Sequence, residues 1–211
     1  YEDANDPNVR IWRIRRDYAT ADLAADAAEF FQKNISNVTS ADIAAIRAQY
    51  KKDWQEWPAS KGAPFYDSNN DGIYTPQFDG SGNPKLYPAA DEPGTANGDQ
   101  VIWFVCHDLA ALSQWASPQI GLEQQTTIWA YNREGAIGNI AVKKFKLIYK
   151  GTATTPPNAT ITDMYLGHWS DPDLGDAGDD FVGCDTLLNM GYVYNSKTID
   201  NSYKRFGIVP P

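Results

Sequence analysis

The spacing of apolar residues changes twice along the chain, and these changes limit the folds open to it. In residues 1–58, apolar side chains recur at three- and four-residue steps, as they do in amphipathic helices. In residues 101–211, apolar runs and alternation with a period of two indicate β-strands. Residues 59–100 are rich in Gly, Pro, Asn, Asp and Ser and predict a long loop. We expect the three segments to form one structural unit.

Two helices are predicted in the first segment. Thr20 can cap the first helix, which ends near Lys33. The second begins at residues 39–42, whose sequence Thr-Ser-Ala-Asp resembles a capping box, and it ends before Pro58. The apolar face of this second helix holds Ile43, Ile46, Tyr50, Trp54 and Trp57. We expect this aromatic stripe to lie in the core, because the opposite face is charged.

Five strands are predicted in the last segment, at residues 101–106, 120–131, 144–150, 160–169 and 187–194. Polar turns separate them, as in antiparallel sheets. We therefore expect an α+β fold. In this fold an antiparallel β-sandwich, Ig-like or jelly-roll-like, carries the two N-terminal helices on it or beside it.

Residues 67–79, with the sequence DSNNDGIYTPQFD, have the spacing of a calcium-binding loop. Asp67, Asn69 and Asp71 stand at loop positions 1, 3 and 5. Gly72 follows at position 6, where the chain must turn sharply, and Ile73 offers its carbonyl oxygen at position 7. Hard oxygen ligands of this kind suit Ca²⁺, which is the cofactor that we expect.

The same loop departs from the calcium-binding pattern at its end. Position 12, where a bidentate acid is expected, is Phe78. Pro64 and Pro76 are incompatible with the flanking helices of an EF-hand. We expect a further acid to complete the ligand shell, and the candidates are Asp79, Glu92 and Asp99. The alternative is an Asx-rich turn that holds no metal.

A second acidic run lies in residues 169–186. Its carboxylates are separated by glycines and include Asp171, Asp173, Asp176, Asp179, Asp180 and Asp185. Crowded like charges are costly unless a cation or solvent screens them. We expect either a second calcium site, with the first five of these residues as ligands, or a solvated acidic loop between strands.

Several long segments of the chain resemble a family of large secreted bacterial proteins. These segments read RIWRIRRDYATADLAADAAEFF, WPASKGAPFYDSNNDGIYTP, DQVIWFV, IGLEQQTTIWAY and DMYLGHWSDPDLGDAGDDFVGCDT. They are similar to the conserved region of proteins that usually end in a type IX secretion sorting domain. The resemblance implies an extracellular or cell-surface location and a longer parent protein that continues past residues 210–211. It implies no catalytic residues.

Charge and motifs narrow the function classes. With 18 basic and 27 acidic residues, the net charge of −9 repels nucleic acid and anionic lipid headgroups. The apolar runs are far shorter than the roughly 20 residues that a membrane-spanning helix needs. The sequence also lacks a Gly-x-Ser-x-Gly elbow and a phosphate-binding glycine loop. We therefore expect no nucleic-acid partner and no membrane insertion. Because these catalytic motifs are missing, the sequence favours a non-enzymatic role.

The two cysteines allow two interpretations. Cys106 and Cys184 are in no Cys-x-x-Cys pair, which disfavours a zinc site. They form either one disulfide or two buried thiols.

Together, these patterns favour a calcium-stabilised, non-catalytic domain outside the cell with a structural, adhesive or assembly role. Its partners would be other regions of a longer parent chain or neighbouring subunits. One alternative is a carbohydrate-binding or hydrolase accessory module that stacks polysaccharide on Trp115, Trp129 and Trp169. The other is a subunit that assembles into an extracellular filament or layer.

Overall fold

A computed structural model describes residues 6, 9–109 and 117–197. The chain divides into two compact units, unit 1 (Tyr1–Thr160) and unit 2 (Ile161–Pro211). The three predicted segments do not coincide with these units. Unit 1 contains both helices, the long loop and the first three predicted strands, while unit 2 contains the second acidic run.

Both predicted helices are present in unit 1. They are α1 (Ala24–Phe30) and α2 (Ser40–Gln55). The predicted capping box of α2 is confirmed, because the Thr39 hydroxyl accepts a hydrogen bond from the Asp42 amide while the Asp42 carboxylate accepts one from the Thr39 amide. The predicted cap of α1 is wrong. Residue 23 occupies that position without a side-chain cap.

Among the described residues, four short 3₁₀ helices lie in the loops, at Ile35–Asn37, Ala59–Lys61, Ala136–Asn139 and Ala177–Asp179. The strands are β1 (Trp12–Arg15), β2 (Phe65–Tyr66), β3 (Glu92–Pro93), β4 (Gln100–His107), β5 (Leu122–Ala130), β6 (Ala141–Tyr149), β7 (Asp180–Asp185) and β8 (Met190–Asn195). Unit 1 has a four-stranded antiparallel sheet in the order β1-β4-β5-β6, and a two-stranded ribbon of β2 and β3. In unit 2, β7 and β8 form an antiparallel ribbon.

The core of unit 1 lies between α2 and the sheet. Helix α2 packs on β1, and its aromatic stripe is buried as predicted. The fully or nearly fully buried side chains include Trp12, Ile14, Ile46, Tyr50, Trp54, Val101 and Trp103. Strand β1 was not predicted, although its sequence WRIR alternates apolar and basic residues. Its two apolar side chains face the core, and Ile14 pairs with Val101 of β4.

The predicted strands have different outcomes. Those at 101–106, 120–131 and 144–150 are confirmed by β4, β5 and β6. The strand predicted at 160–169 is wrong, because this stretch is irregular and Asp163 takes a positive φ of 55°. The last predicted strand is shorter than expected and pairs with β7, which comes from the second acidic run.

The described residues therefore combine two α-helices with antiparallel β-structure. The finer prediction, an Ig-like or jelly-roll-like sandwich, stays a prediction. Within the described part of the chain, no helix has both the length and the apolar character needed to cross a membrane.

Candidate functional site

The candidate calcium loop follows directly after β2. Its backbone turns tightly because two residues take left-handed conformations, Asn70 with φ 58° and Gly72 with φ 76°. A side chain at position 72 would meet no atom within 4 Å, so the glycine serves the backbone conformation and not a close contact. The sharp turn predicted at loop position 6 is therefore present.

The predicted ligand residues of this loop are gathered by hydrogen bonds. The carboxylate of Asp67 accepts from the amide of Gly72 at 2.7 Å and from that of Asp71 at 3.3 Å. The Asp71 carboxylate accepts from the amide of Ile73 at 2.7 Å and from the side-chain amide of Asn69 at 2.8 Å. These are the contacts of an Asx-rich turn, and they also place three oxygen-bearing side chains around one short stretch of backbone.

The three acids expected to complete the shell have other partners. Asp79 accepts from the amides of Asn83 and Ser81, and the hydrogen bonds led by that of Asn83 hold the pKa of its carboxyl below the ordinary value. Glu92 is buried and pairs with Arg16 at 2.6 Å. Asp99 accepts from the backbone amide of residue 132 at 2.9 Å.

A further acid stands beside the loop, and the spacing pattern did not point to it. Asp91, which is 2% exposed, accepts from the amide and hydroxyl of Ser68 at 2.9 and 2.7 Å. It also accepts from the amide of Thr75 at 2.8 Å. Burial alone would raise the pKa of this carboxyl, but the three hydrogen bonds outweigh burial and lower it. Asp91, the residue before β3, thus holds Ser68 and Thr75, which lie on either side of the turn at Gly72.

Residues 67–73 of this loop contain two carboxylates, Asp67 and Asp71. Across residues 6, 9–109 and 117–197, no three Asp, Glu, His or Cys side chains lie close enough together to hold a metal ion. The protein ligands available to Ca²⁺ in this loop are therefore the side-chain oxygens of Asp67, Asn69 and Asp71 and the carbonyl of Ile73.

The second acidic run is dispersed in unit 2. Asp171 and Asp173 are exposed, Asp176 accepts from the amide of Gly178, and Asp180 accepts from that of residue 174. Asp179 differs from these, because its side chain is 7% exposed and neither oxygen has a hydrogen-bond partner among the described residues. Lys197 Nζ lies 3.9 Å from it.

The remaining predicted site residues lie apart from the calcium loop. Cys106 in unit 1 and Cys184 in unit 2 are both exposed, so the prediction of buried thiols is wrong, and the disulfide stays a prediction. Trp129 is half-buried against the core and donates from Nε1 to the Tyr131 hydroxyl at 3.1 Å. Trp169 in unit 2 is 82% exposed. Trp115 lies outside the described residues.

Unit 1 also contains a cleft of about 780 Å³ that the sequence did not predict. Its lining residues come from five stretches of the chain, within 15–20, 25–29, 83–86, 99–100 and 130–132. These segments come from the end of β1, helix α1, the long loop, the start of β4 and the end of β5. Comparison of the chain with protein-family models, curated proteins and solved structures gave no match.

Proposed function

We propose that the chain is a non-catalytic domain of a longer secreted bacterial protein, located outside the cell or on its surface. Its calcium loop, residues 67–79, binds Ca²⁺ through the first part of the loop, residues 67–73, and the role of the domain is structural, adhesive or in assembly. The observation that carries this proposal is the turn at Gly72, which places oxygen atoms of alternate side chains around one stretch of backbone. Alternate oxygen donors on a tight turn are the arrangement that Ca²⁺ loops use.

The donor set favours a weak site. Ca²⁺ takes about six to eight oxygen ligands, and the loop supplies four from Asp67, Asn69, Asp71 and the Ile73 carbonyl. Water would fill the remaining positions. With only two carboxylates, the expected dissociation constant is about 0.1 to 1 mM, the range of extracellular calcium modules. Such a site is filled outside the cell and empty in the cytoplasm, which fits the proposed location.

Binding requires one local change in the loop. The side-chain amide of Asn69 donates to Asp71 at 2.8 Å, so this nitrogen lies where a cation would be repelled. Rotation of the Asn69 amide by half a turn would present its oxygen instead, and it would break the hydrogen bond that this oxygen now accepts from the Asp71 amide at 3.2 Å. The ion would then hold residues 67–73 in place, while Asp91 holds the backbone on both sides of the turn. The role of Ca²⁺ is structural in this proposal.

Thermal unfolding with and without calcium tests the proposal. At about 10 mM Ca²⁺ and a dissociation constant of about 1 mM, binding adds about 1.4 kcal/mol to the free energy of unfolding. We expect the melting temperature to rise by about 3–6 °C relative to EDTA. Equal concentrations of Mg²⁺ should raise it less, because Mg²⁺ gives up its water reluctantly.

Two variants separate a bound ion from a general salt effect. Asp71→Asn removes a ligand charge and should abolish the rise. Asp79→Asn is the matched control, since its carboxylate belongs to the turn that ends at Asn83. This control should lower the melting temperature in EDTA yet keep the rise with calcium. An unchanged melting temperature in calcium for the wild type would contradict the proposal.

A further inference from the structure

The cleft of unit 1 is large enough for a small-molecule ligand. Its volume of about 780 Å³ lies within the range of about 300–1,000 Å³ that is usual for such sites. Because its walls come from five separate segments, it is a feature of the folded unit and not of one loop. Three of these segments adjoin the four-stranded sheet, in which Gln100 pairs with both Arg15 and Ala130, and this pairing gives the cleft a rigid support.

Nine of the sixteen residues that line the cleft carry planar polar side chains. Carboxylates come from Asp17, Asp26, Glu29 and Asp99, amides from Asn83, Gln100 and Asn132, and guanidinium groups from Arg15 and Arg16. Carboxylates accept, guanidinium groups donate, and amides do both. A ligand rich in hydroxyl groups matches this mixture, because each hydroxyl donates one hydrogen bond and accepts others.

The cations of the cleft already have partners. Arg15 pairs with Asp17 and with Asp26, each at 2.7 Å. Arg16 pairs with the buried Glu92 at 2.6 Å. An anionic ligand such as a phosphate would compete with these ion pairs and would meet the carboxylates of the lining. The carboxylates have partners as well, because Asp17 and Asp26 pair with Arg15, Glu29 pairs with Arg13 at 3.0 Å, and Asp99 accepts from the backbone amide of residue 132. Since the charges of both signs are already matched, the lining favours a neutral ligand over an ionic one.

Tyr131 lines the cleft, and the guanidinium of Arg133 lies over its ring at 5.4 Å from the ring centroid, so one face of the ring is left for a ligand. The hydroxyl of Tyr131 donates to the carbonyl of Ala96 at 2.9 Å and accepts from Trp129, so the ring is held in position. A fixed tyrosine ring provides contact area at little cost in conformational entropy. Asp99 accepts from the backbone amide of Asn132, and both residues line the cleft, where Asn132 is exposed.

We infer that this cleft binds a neutral saccharide unit of a glycan. The sugar hydroxyls would bond to the planar polar side chains, and the apolar face of the sugar ring would pack on Tyr131. The inference is independent of the calcium proposal, because Asp67, Asn69 and Asp71 do not line the cleft. It places saccharide binding in unit 1 and needs no contribution from Trp169.

Affinity gel electrophoresis of the whole chain tests the inference. The gels contain one neutral polysaccharide each: hydroxyethyl cellulose, xylan, galactomannan, laminarin or starch. We expect at least one of them to slow the migration of the protein. Tyr131→Ala and Asn132→Ala should weaken this retardation at least tenfold, and the control Trp169→Ala should not. Far-ultraviolet circular dichroism and the melting temperature show whether each variant is folded.

Three results would overturn the inference. The first is normal migration of the wild type in all five gels. The second is equal retardation of the wild type and of a folded Asn132→Ala variant. The third is loss of retardation in Trp169→Ala alone, which would move the binding site to unit 2. Running the same gels in EDTA separates the two proposals, because saccharide binding is then measured without calcium. A protein that binds saccharide in EDTA but shows no rise of the melting temperature with calcium contradicts only the calcium proposal.

Discussion

The buried carboxylate of Asp91 accepts hydrogen bonds from both the amide and the hydroxyl of Ser68, at 2.9 and 2.7 Å. The same carboxylate accepts from the amide of Thr75 at 2.8 Å. One buried acid thus holds the calcium loop on both sides of the turn at Gly72. The position of this loop on unit 1 therefore depends on a residue outside it.

Replacement of Asp91 by asparagine should destabilise unit 1. The new NH₂ group would face one of the N–H or O–H groups of Ser68 or Thr75 that now donate to the carboxylate. A buried donor without an acceptor costs about 1–3 kcal/mol. We expect a loss of this size in the free energy of unfolding, measured with urea. Ser68→Ala is the milder control, since it removes only the hydroxyl and keeps the hydrogen bond from the backbone amide of residue 68 to Asp91. Equal stability of Asp91→Asn and wild type would contradict this role.

The pH dependence of stability should change in the same variant. The pKa of Asp91 is lower in the folded chain than in the unfolded one, so the carboxylate stabilises the fold above the ordinary value of about 4. This stabilisation is lost as the pH falls through the lower folded pKa. We therefore expect wild type and Asp91→Asn to converge in stability below about pH 4. If the two proteins keep the same difference in the free energy of unfolding down to the lowest pH at which they fold, the charge of Asp91 does not contribute to stability.

Gly62 should not tolerate a side chain. Its φ of 111° is a conformation that side chains rarely adopt, and a Cβ would lie 2.5 Å from Oε1 of Gln125. Gln125 is buried and donates to the carbonyl of Lys61 at 3.0 Å, so it cannot move away without losing this bond. We expect Gly62→Ala to cost about 1–3 kcal/mol. Gly80→Ala is the control, because its Cβ would meet nothing, and it should change stability by less than about 0.5 kcal/mol.

The capping box of α2 offers a test of local helix chemistry. Thr39→Ala should cost about 1 kcal/mol, because it leaves the Asp42 amide without its acceptor. Ser40→Ala, one residue later, is the control and should be close to neutral.

The ion pair with Lys33, with help from Thr39, lowers the pKa of Asp42 to about 2. The stabilisation from this carboxylate is therefore present above about pH 4 and is lost as the pH falls toward 2. In Lys33→Met, the free energy of unfolding, measured by urea denaturation, should fall less steeply between about pH 4 and pH 2.

Local chemistry explains what was predictable from the sequence. The bond between Thr39 and Asp42 spans three residues, and the buried stripe around Trp54 repeats at helical spacing, so both are visible in a short window. Strand β1 has only four residues and depends on pairing with distant β4, for example Trp12 with Trp103. A short alternating stretch beside helical patterns carries too little signal to be recognised.

The candidate sites show the same limit. The turn at Gly72 was predictable because its residues are neighbours, whereas Asp91 reaches Ser68 across 23 positions and follows no spacing rule. Asp79 was expected to reach the loop, but the amides of its own turn are closer in sequence and take up its carboxylate. The cleft joins five segments, and only the tertiary fold brings Tyr131 near Arg15.

Asp53 and Arg10 form a buried ion pair whose contribution should depend on pH. Asp53 is 2% exposed, and it accepts from Arg10 at 3.0 Å and from the amide of Arg13 at 3.1 Å. Burial raises the pKa of this carboxyl despite these partners. Between the ordinary and the raised pKa, the folded state binds the proton more readily than the unfolded chain. Stability from this group therefore falls as the pH rises through that window and is constant above it.

Arg10→Met should enlarge this effect. Removal of the guanidinium leaves a buried carboxylate without its cation, which costs about 3 kcal/mol where the group stays charged at about pH 7. The cost should be smaller at about pH 4, the ordinary value of an aspartic acid, because the pKa of Asp53 is raised above that value and the carboxyl takes up a proton there. Arg10 also stacks on Trp12, but loss of that contact should weigh equally at both pH values. The double variant Arg10→Met/Asp53→Asn should recover part of the loss at neutral pH. Equal losses at the two pH values, measured by urea denaturation, would show that packing and not charge makes this pair important.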